Sequence, residues 1–133
     1  MVAELSLTDA WSLLESNDRA VLIDVRTVAE WNFVGVPTVG EMERDIRFVE
    51  WTTFPGGGPN PNFVAEASAN LDPDQPVLFL CRSGARSDSA ARAFDGAGFT
   101  QTYNVTAGFE GGLDADGHRG GGWKHEGLPW RQG

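Results

Sequence analysis

The sequence predicts an α/β domain built on a central, mostly parallel sheet with helices on both faces. Two stretches carry this reading. "AVLIDV" (20–25) and "PVLFLC" (76–81) are short unbroken apolar runs, the pattern of strands buried on both sides. Each is followed within a few residues by a segment of helical spacing, and a strand that feeds a helix through so short a link needs a crossover connection and hence a parallel neighbour. At 133 residues the chain suits one domain, 1–133, with enough length to bury a core without disulfides or a structural metal.

The elements follow in order. The opening helix has Thr8 as its expected N-cap, Asp9 in the first turn, and Ala10, Trp11, Leu13 and Leu14 on its apolar face, and "SND" breaks it. After the first strand, Thr27 and Glu30 have the spacing of a capping box that opens a second helix. A strand-like patch spans Ile46 to Trp51 before a Gly/Pro-rich loop. Asn60 followed by Pro61 reads as the start of a helix reaching about Leu71. Beyond the second apolar run, Ala90, Ala93, Phe94 and Ala97 mark a helix that Gly98 is placed to end, and "TYNV" is a last short strand. The glycine-rich tail from Gly108 carries Trp123 and Trp130, which predicts an ordered but irregular surface wrap.

Composition narrows the function classes. Nineteen acidic residues against ten basic ones give a net charge of -9, and no Lys/Arg stripe could track phosphates, so nucleic acid is excluded as a partner. An acidic surface also repels small anions at long range, so an anionic substrate would have to be held by local donors. One cysteine cannot form an internal disulfide and suits a reducing compartment. The start "MVAELSLTDAWSLLES" lacks the pattern of a secretory signal, and no apolar segment reaches membrane-spanning length, so the expectation is a soluble cytoplasmic protein with no membrane partner.

That single cysteine, Cys81, stands between the second apolar run and the helix after it, in "CRSGARS". If the helix begins near Ser87, the backbone amides of Arg82, Ser83, Gly84, Ala85 and Arg86 form a tight turn beside its N-terminus. Such a nest carries fixed partial positive charge, the helix end adds to it, and both favour a thiolate over a thiol. Arg82 and Arg86 contribute whole charges, Gly84 permits backbone angles barred to other residues, and Ser83 and Ser87 offer hydroxyl donors. A cysteine at a strand end is often inert packing, but packing gives no reason to gather two arginines and a Ser-Gly turn there.

The chain resembles single-domain rhodaneses, the thiosulfate or persulfide sulfurtransferases. "LIDVRTVAEW" is similar to their early Asp-Val-Arg and Glu-Trp motif, "CRSGARS" to their active-site loop, and "GWKHEGLPW" to their closing Trp and Gly-Leu-Pro, covering about Leu5 to Trp130. The resemblance implies a three-layer rhodanese-like fold and a two-step relay. The Cys81 thiolate takes the outer sulfur of a small anionic donor such as thiosulfate, and an external acceptor, cyanide or a thiol that a protein could carry, removes it. It implies catalysis by Cys81 with Arg86 holding the loop or favouring the thiolate, donor binding by Arg82, Ser83, Gly84, Ala85 and Ser87, and no metal or cofactor. Related cysteine phosphatases and arsenate reductases place the loop arginine six residues after the nucleophile; Arg86 is five after Cys81, a narrower ring that suits one added sulfur atom. Those enzymes, and a non-catalytic persulfide carrier, remain the alternatives.

Supporting roles are expected at three further positions. Asp24 ends the first strand, where parallel-sheet proteins present functional groups, and is placed to brace an arginine. Arg26 and Glu30, four apart across a helix start, read as a structural ion pair. Trp51, with Phe54 in the insert, either leans over Cys81 or is plain packing. His118 and His125 have no ligand-like neighbours in sequence and read as surface residues. The chain departs from the family at "GVP" (35–37), where many members have Gly-His-Ile, and in the "DADGHRGGG" expansion (114–122).

Overall fold

A computed structural model of the chain describes residues 1–132. Five strands form one sheet: β1 (Val2–Leu5), β2 (Val21–Asp24), β4 (Asp45–Phe48), β5 (Val77–Leu80) and β6 (Thr102–Val105). Their spatial order is β1-β6-β5-β2-β4, and every pairing is parallel. Between them run helices α1 (Leu7–Ser16), α2 (Val28–Phe33), α3 (Phe63–Ala67) and α4 (Ala85–Gly96). Short strands β3 (Val36–Pro37) and β9 (Trp130–Arg131) pair with each other, as do β7 (Gly111–Leu113) and β8 (Arg119–Gly121).

Strand alternation sorts the core into two layers, as the period of two requires. Ile23, Val25, Phe79 and Cys81 face one side and pack with Phe63 and Ala67 of α3 and Ala90, Ala91 and Phe94 of α4. Leu22, Leu78 and Leu80 face the other, against Ala10 and Leu14 of α1 and the tail residues Phe109 and Trp123. The sheet is therefore covered on both faces, as the unbroken apolar runs predict.

Several boundaries differ from the sequence expectation, each for a local reason. Ser6, not Thr8, caps α1, its Oγ accepting from the Asp9 amide at 3.1 Å. The strand expected over 46–51 is β4 at 45–48. Asn60 does not start a helix: its amide group donates to the Glu50 carbonyl at 2.9 Å while its carbonyl oxygen accepts from the Asn62 amide, so the turn delays α3 to Phe63. The α3 helix also ends early, and Arg47 donates to the carbonyl of its last residue, Ala67, and to that of Ala69 just past it. The Thr27–Glu30 capping box forms as read. Gly98 ends α4 in a positive-φ conformation, with Phe99 and Gly98 amides donating to the Phe94 and Asp95 carbonyls.

The tail is more integral than a surface wrap. Trp123 is fully buried, its Nε1 donates to the Pro129 carbonyl at 2.7 Å, and its ring meets Trp11 edge-on. The "GVP" segment supplies β3, which the tail's β9 pairs. These two-residue strands are too short for a periodic signal to show in sequence, and β1 at the sheet edge exposes Ala3 and Glu4 and so lacks an unbroken apolar run. No helix among the described residues is long and apolar enough to cross a membrane.

Candidate active site

Cys81 follows β5 directly, at the carboxyl edge of the parallel sheet, and the alternation of Val77 and Phe79 turns its side chain toward α4. The residue is 1% exposed. Two polar atoms touch its sulfur: the Gly84 amide donates to Sγ at 3.1 Å, and the Ser87 hydroxyl lies 3.1 Å away. The α4 helix begins at Ala85, two residues earlier than expected, because Gly84 enters it at φ 105°. Among amides 82–86 of the described residues, only Gly84's makes a hydrogen bond to Sγ, so the direct ring is narrower than the sequence suggests. Amides of Ala85, Arg86 and Ser87 belong to the first turn, which has no intrahelical acceptors, and they add the positive end of the α4 dipole.

The loop is held from behind by the chain leaving β6. The Phe109 amide donates to the Cys81 carbonyl at 2.8 Å, and those of Glu110 and Gly111 to the Arg82 carbonyl at 3.1 Å. So close an approach excludes side chains at two points. A Cβ on Gly84 would lie 2.6 Å from the Thr106 carbonyl oxygen, and one on Gly108 would lie 2.4 Å from that of Arg82.

Arg86 does not touch the sulfur. Its Nη1 and Nη2 donate to the two carboxylate oxygens of Glu30 at 2.6 and 2.9 Å, tying α4 to the start of α2. Burial alone would push the Glu30 carboxyl up, but the hydrogen bonds and charge of Arg86 outweigh it and hold the group below its usual value. Arg86 is raised in turn, chiefly by the Glu30 hydrogen bond, with smaller contributions from the nearby Cys81 and Asp24.

The Arg26–Glu30 ion pair expected from their spacing is not formed. Arg26 instead bonds Asp24 through Nε and Nη2, both side chains wholly buried, and Nη2 also donates to the Gly35 carbonyl at 2.8 Å. Two residues apart across the end of β2, they meet more easily than a pair separated by the helix turn, which leaves Glu30 to Arg86. The Arg26 guanidinium also stacks over Phe109 at 4.2 Å, so this pair braces the tail behind the loop. Asp24 does brace an arginine.

Arg82 is half-exposed and pairs with Glu110, Nε to Oε2 3.2 Å. Ser83 and Ala85 are at the surface and, with Gly84, line a cleft of about 320 Å³ that Asn104 also borders. A larger cavity of about 700 Å³ lies between α1 and the tail, but Cys81 does not line it. Trp51 packs edge-on against Phe63, 5.0 Å between ring centres, beside the core layer that also holds Cys81; Phe54 is exposed. His118 and His125 are exposed, and no group of potential ligands gathers as a metal site among the described residues.

Sequence reasoning missed Glu110, Asn104, Gly108 and the partnership of Glu30 with Arg86. Glu110 sits in a glycine-rich tail with no periodicity, and Asn104 inside a four-residue strand, so neither carried a signal. Glu30 was visible as a cap and as a partner for Arg26, not for Arg86.

The Rhodanese-like domain model matches residues 6–115. The chain belongs to the rhodanese-like family. It is 35% identical over 130 residues to an uncharacterized protein of Rickettsia conorii, covering 98% of both chains. Over 47 residues, 35% of this chain and 43% of the other, it is 45% identical to the thiosulfate sulfurtransferase GlpE of Pseudomonas putida. Among solved structures it is similar to Rv0390 from M. tuberculosis, with TM-score 0.90 and 52% identity over 98% of each chain. It is also similar to the polysulfide-sulfur transferase homodimer of Wolinella succinogenes, with TM-score 0.68 and 28% identity over 99% of this chain and 80% of that one. The rhodanese-like fold, a mostly parallel sheet between helices, is the one these neighbours share.

Proposed function

We propose that this rhodanese-like protein is a sulfurtransferase that carries a sulfane sulfur as a persulfide on Cys81. The observation that carries the reading is the sulfur's position: at the carboxyl edge of the sheet, receiving the Gly84 amide at 3.1 Å, beside the free first-turn amides of α4. Thiosulfate and polysulfide appear in the names of two similar proteins, and both donors present a terminal sulfur with a good leaving group behind it.

With thiosulfate, the Cys81 thiolate attacks the outer sulfur, an S–S bond forms, and the bond to the sulfonate sulfur breaks with its electron pair, releasing sulfite. A persulfide anion remains on Cys81. Cyanide or an external thiolate then attacks the outer persulfide sulfur and the Cys81 thiolate leaves. Preorganised amides stabilise the negative sulfur at both stages without rearrangement. In this reading Arg82 leaves Glu110 to grip the donor's sulfonate, with Ser83, Gly84 and Ala85 contributing backbone and Ser83 its hydroxyl. Arg86 acts by position, fixing α4 and adding positive charge near the sulfur. Since Cys81 is the only cysteine, the resolving thiol comes from outside the chain, as the thiol-rich cytoplasm would provide.

Thiocyanate production from thiosulfate and cyanide tests this directly. The expected result is turnover in the wild type that Cys81→Ser abolishes. Hydrolysis of an aryl phosphate at Cys81, without any sulfur transfer, would overturn it.

A further inference from the structure

Cys81, Ser87, Asn104 and Gly84 form a closed circuit of hydrogen bonds. Sγ lies 3.1 Å from Ser87 Oγ, that oxygen 2.6 Å from Asn104 Oδ1, Asn104 Nδ2 3.1 Å from the Gly84 carbonyl oxygen, and the Gly84 amide 3.1 Å from Sγ. All four residues are buried or partly buried, with Ser87 at 0% and Asn104 at 3% exposure.

Donor and acceptor capacities fix the direction of this circuit. The Gly84 carbonyl can only accept, so the amide end of Asn104 must face it, and the carbonyl end then faces Ser87. A carbonyl oxygen also only accepts. Ser87 must therefore give its one hydrogen to Asn104, and what it presents to Sγ is a lone pair. That arrangement suits a thiol, which can donate its own hydrogen to Ser87, and opposes a thiolate. For Sγ to become an anion, its proton leaves for solvent and the Ser87 hydroxyl must turn to donate to sulfur, which strands the Asn104 carbonyl in a buried site.

We propose that Asn104 is a positioning residue which, through Ser87, biases Cys81 toward the thiol and sets how readily it becomes the attacking thiolate. The inference rests on Cys81 being the sulfur-carrying nucleophile, and it assigns the cost of ionisation to one hydroxyl rotation. Of the other charged groups, Arg86 on α4 acts on Cys81 through its charge and pairs with Glu30 on α2; Asp24 pairs with Arg26 after β2 and Arg82 with Glu110 on the flanking loops, and Glu4 of β1 with Asp88 and Arg92 of α4 border the cleft that Gly84 and Asn104 line. They are present in every variant compared below.

Because Cys81 is the only cysteine, ultraviolet thiolate absorbance followed through neutral pH reads its ionisation without donor or turnover. Asn104→Leu keeps the γ-branched outline in a larger side chain and removes the acceptor, freeing the Ser87 hydrogen for sulfur, while the Gly84 carbonyl keeps the Asp88 amide as a donor. The thiolate-to-thiol ratio at a given pH should rise about tenfold, the scale of one buried carbonyl left without a donor. In a Ser87→Ala background the same substitution should produce no such rise. An unchanged or lower ratio in Asn104→Leu, or an equal rise without Ser87, overturns the proposal; Asn104→Ala supplies the same comparison if the leucine variant does not fold. A structural role alone would alter stability but not this Ser87-dependent titration. Failure here with sulfur transfer intact removes only the role of Asn104, whereas normal titration without sulfur transfer removes the functional reading.

Discussion

Replacing Glu30 by glutamine separates two jobs the residue performs. Its carboxylate caps α2 through Thr27 and receives both Arg86 bonds at 2.6 and 2.9 Å, with side-chain exposure of 19% for Glu30 and 25% for Arg86. Glutamine retains the cap and can accept one neutral hydrogen bond from Arg86. Bonds to charged groups contribute about 1.5–3 kcal/mol against about 0.5–1.5 for neutral ones, so Glu30→Gln should cost about 1–2 kcal/mol. For a chain of this size that lowers Tm by roughly 4–8 °C. Glu30→Ala also removes the cap and should cost about 1 kcal/mol more. In a double-mutant cycle with Arg86→Met, read by chemical denaturation, the coupling should be about 1–2 kcal/mol. The sign with pH follows from the lowered carboxyl. Its contribution is complete above the usual value of 4.5 and is lost as pH falls through the lower folded value, so wild type and Glu30→Gln converge in stability only below about 4.5. Arg86, being raised, loses its contribution only in strong alkali. Additive single effects, or a stability gap independent of pH down to the acid transition, would refute the reasoning.

Three further outcomes are expected. Gly84→Ala must adopt φ 105° and meet the Thr106 carbonyl at 2.6 Å, so it should cost about 2–3 kcal/mol in urea denaturation and sharply reduce sulfur transfer by moving the Gly84 amide. Trp123→Ala empties a fully buried site and should cost about 3–5 kcal/mol by the same assay, although the residue lies in a glycine-rich tail. Arg82→Ala should raise KM for thiosulfate about tenfold or more with a smaller change in kcat, since the side chain is proposed to bind the donor's sulfonate.

The central layer was readable because β2 and β5 are buried on both faces and announce themselves as apolar runs. Cys81 and its loop were readable because chemistry is concentrated there in seven consecutive residues. What escaped was set by distant contacts. Arg26 chose Asp24 over Glu30 because of geometry at the end of β2, and Glu30 was then available to Arg86, 56 positions away in the chain. The tail looked like a surface segment because glycine dominates it, yet Gly108 is required where the backbone passes Arg82, and Glu110 reaches that residue's side chain. Asn104 could be recognised only once β6 lay beside β5 and α4 lay over both.

The claim on which the account depends is that Cys81 accepts a single sulfur atom. Intact-mass analysis after brief incubation with thiosulfate, followed by removal of the donor, tests it without assuming any acceptor. The expected result is a gain of one sulfur that maps to Cys81, disappears on adding cyanide, and is absent from Cys81→Ser. An unchanged mass in folded wild-type protein, with polysulfide giving the same null result, would contradict it.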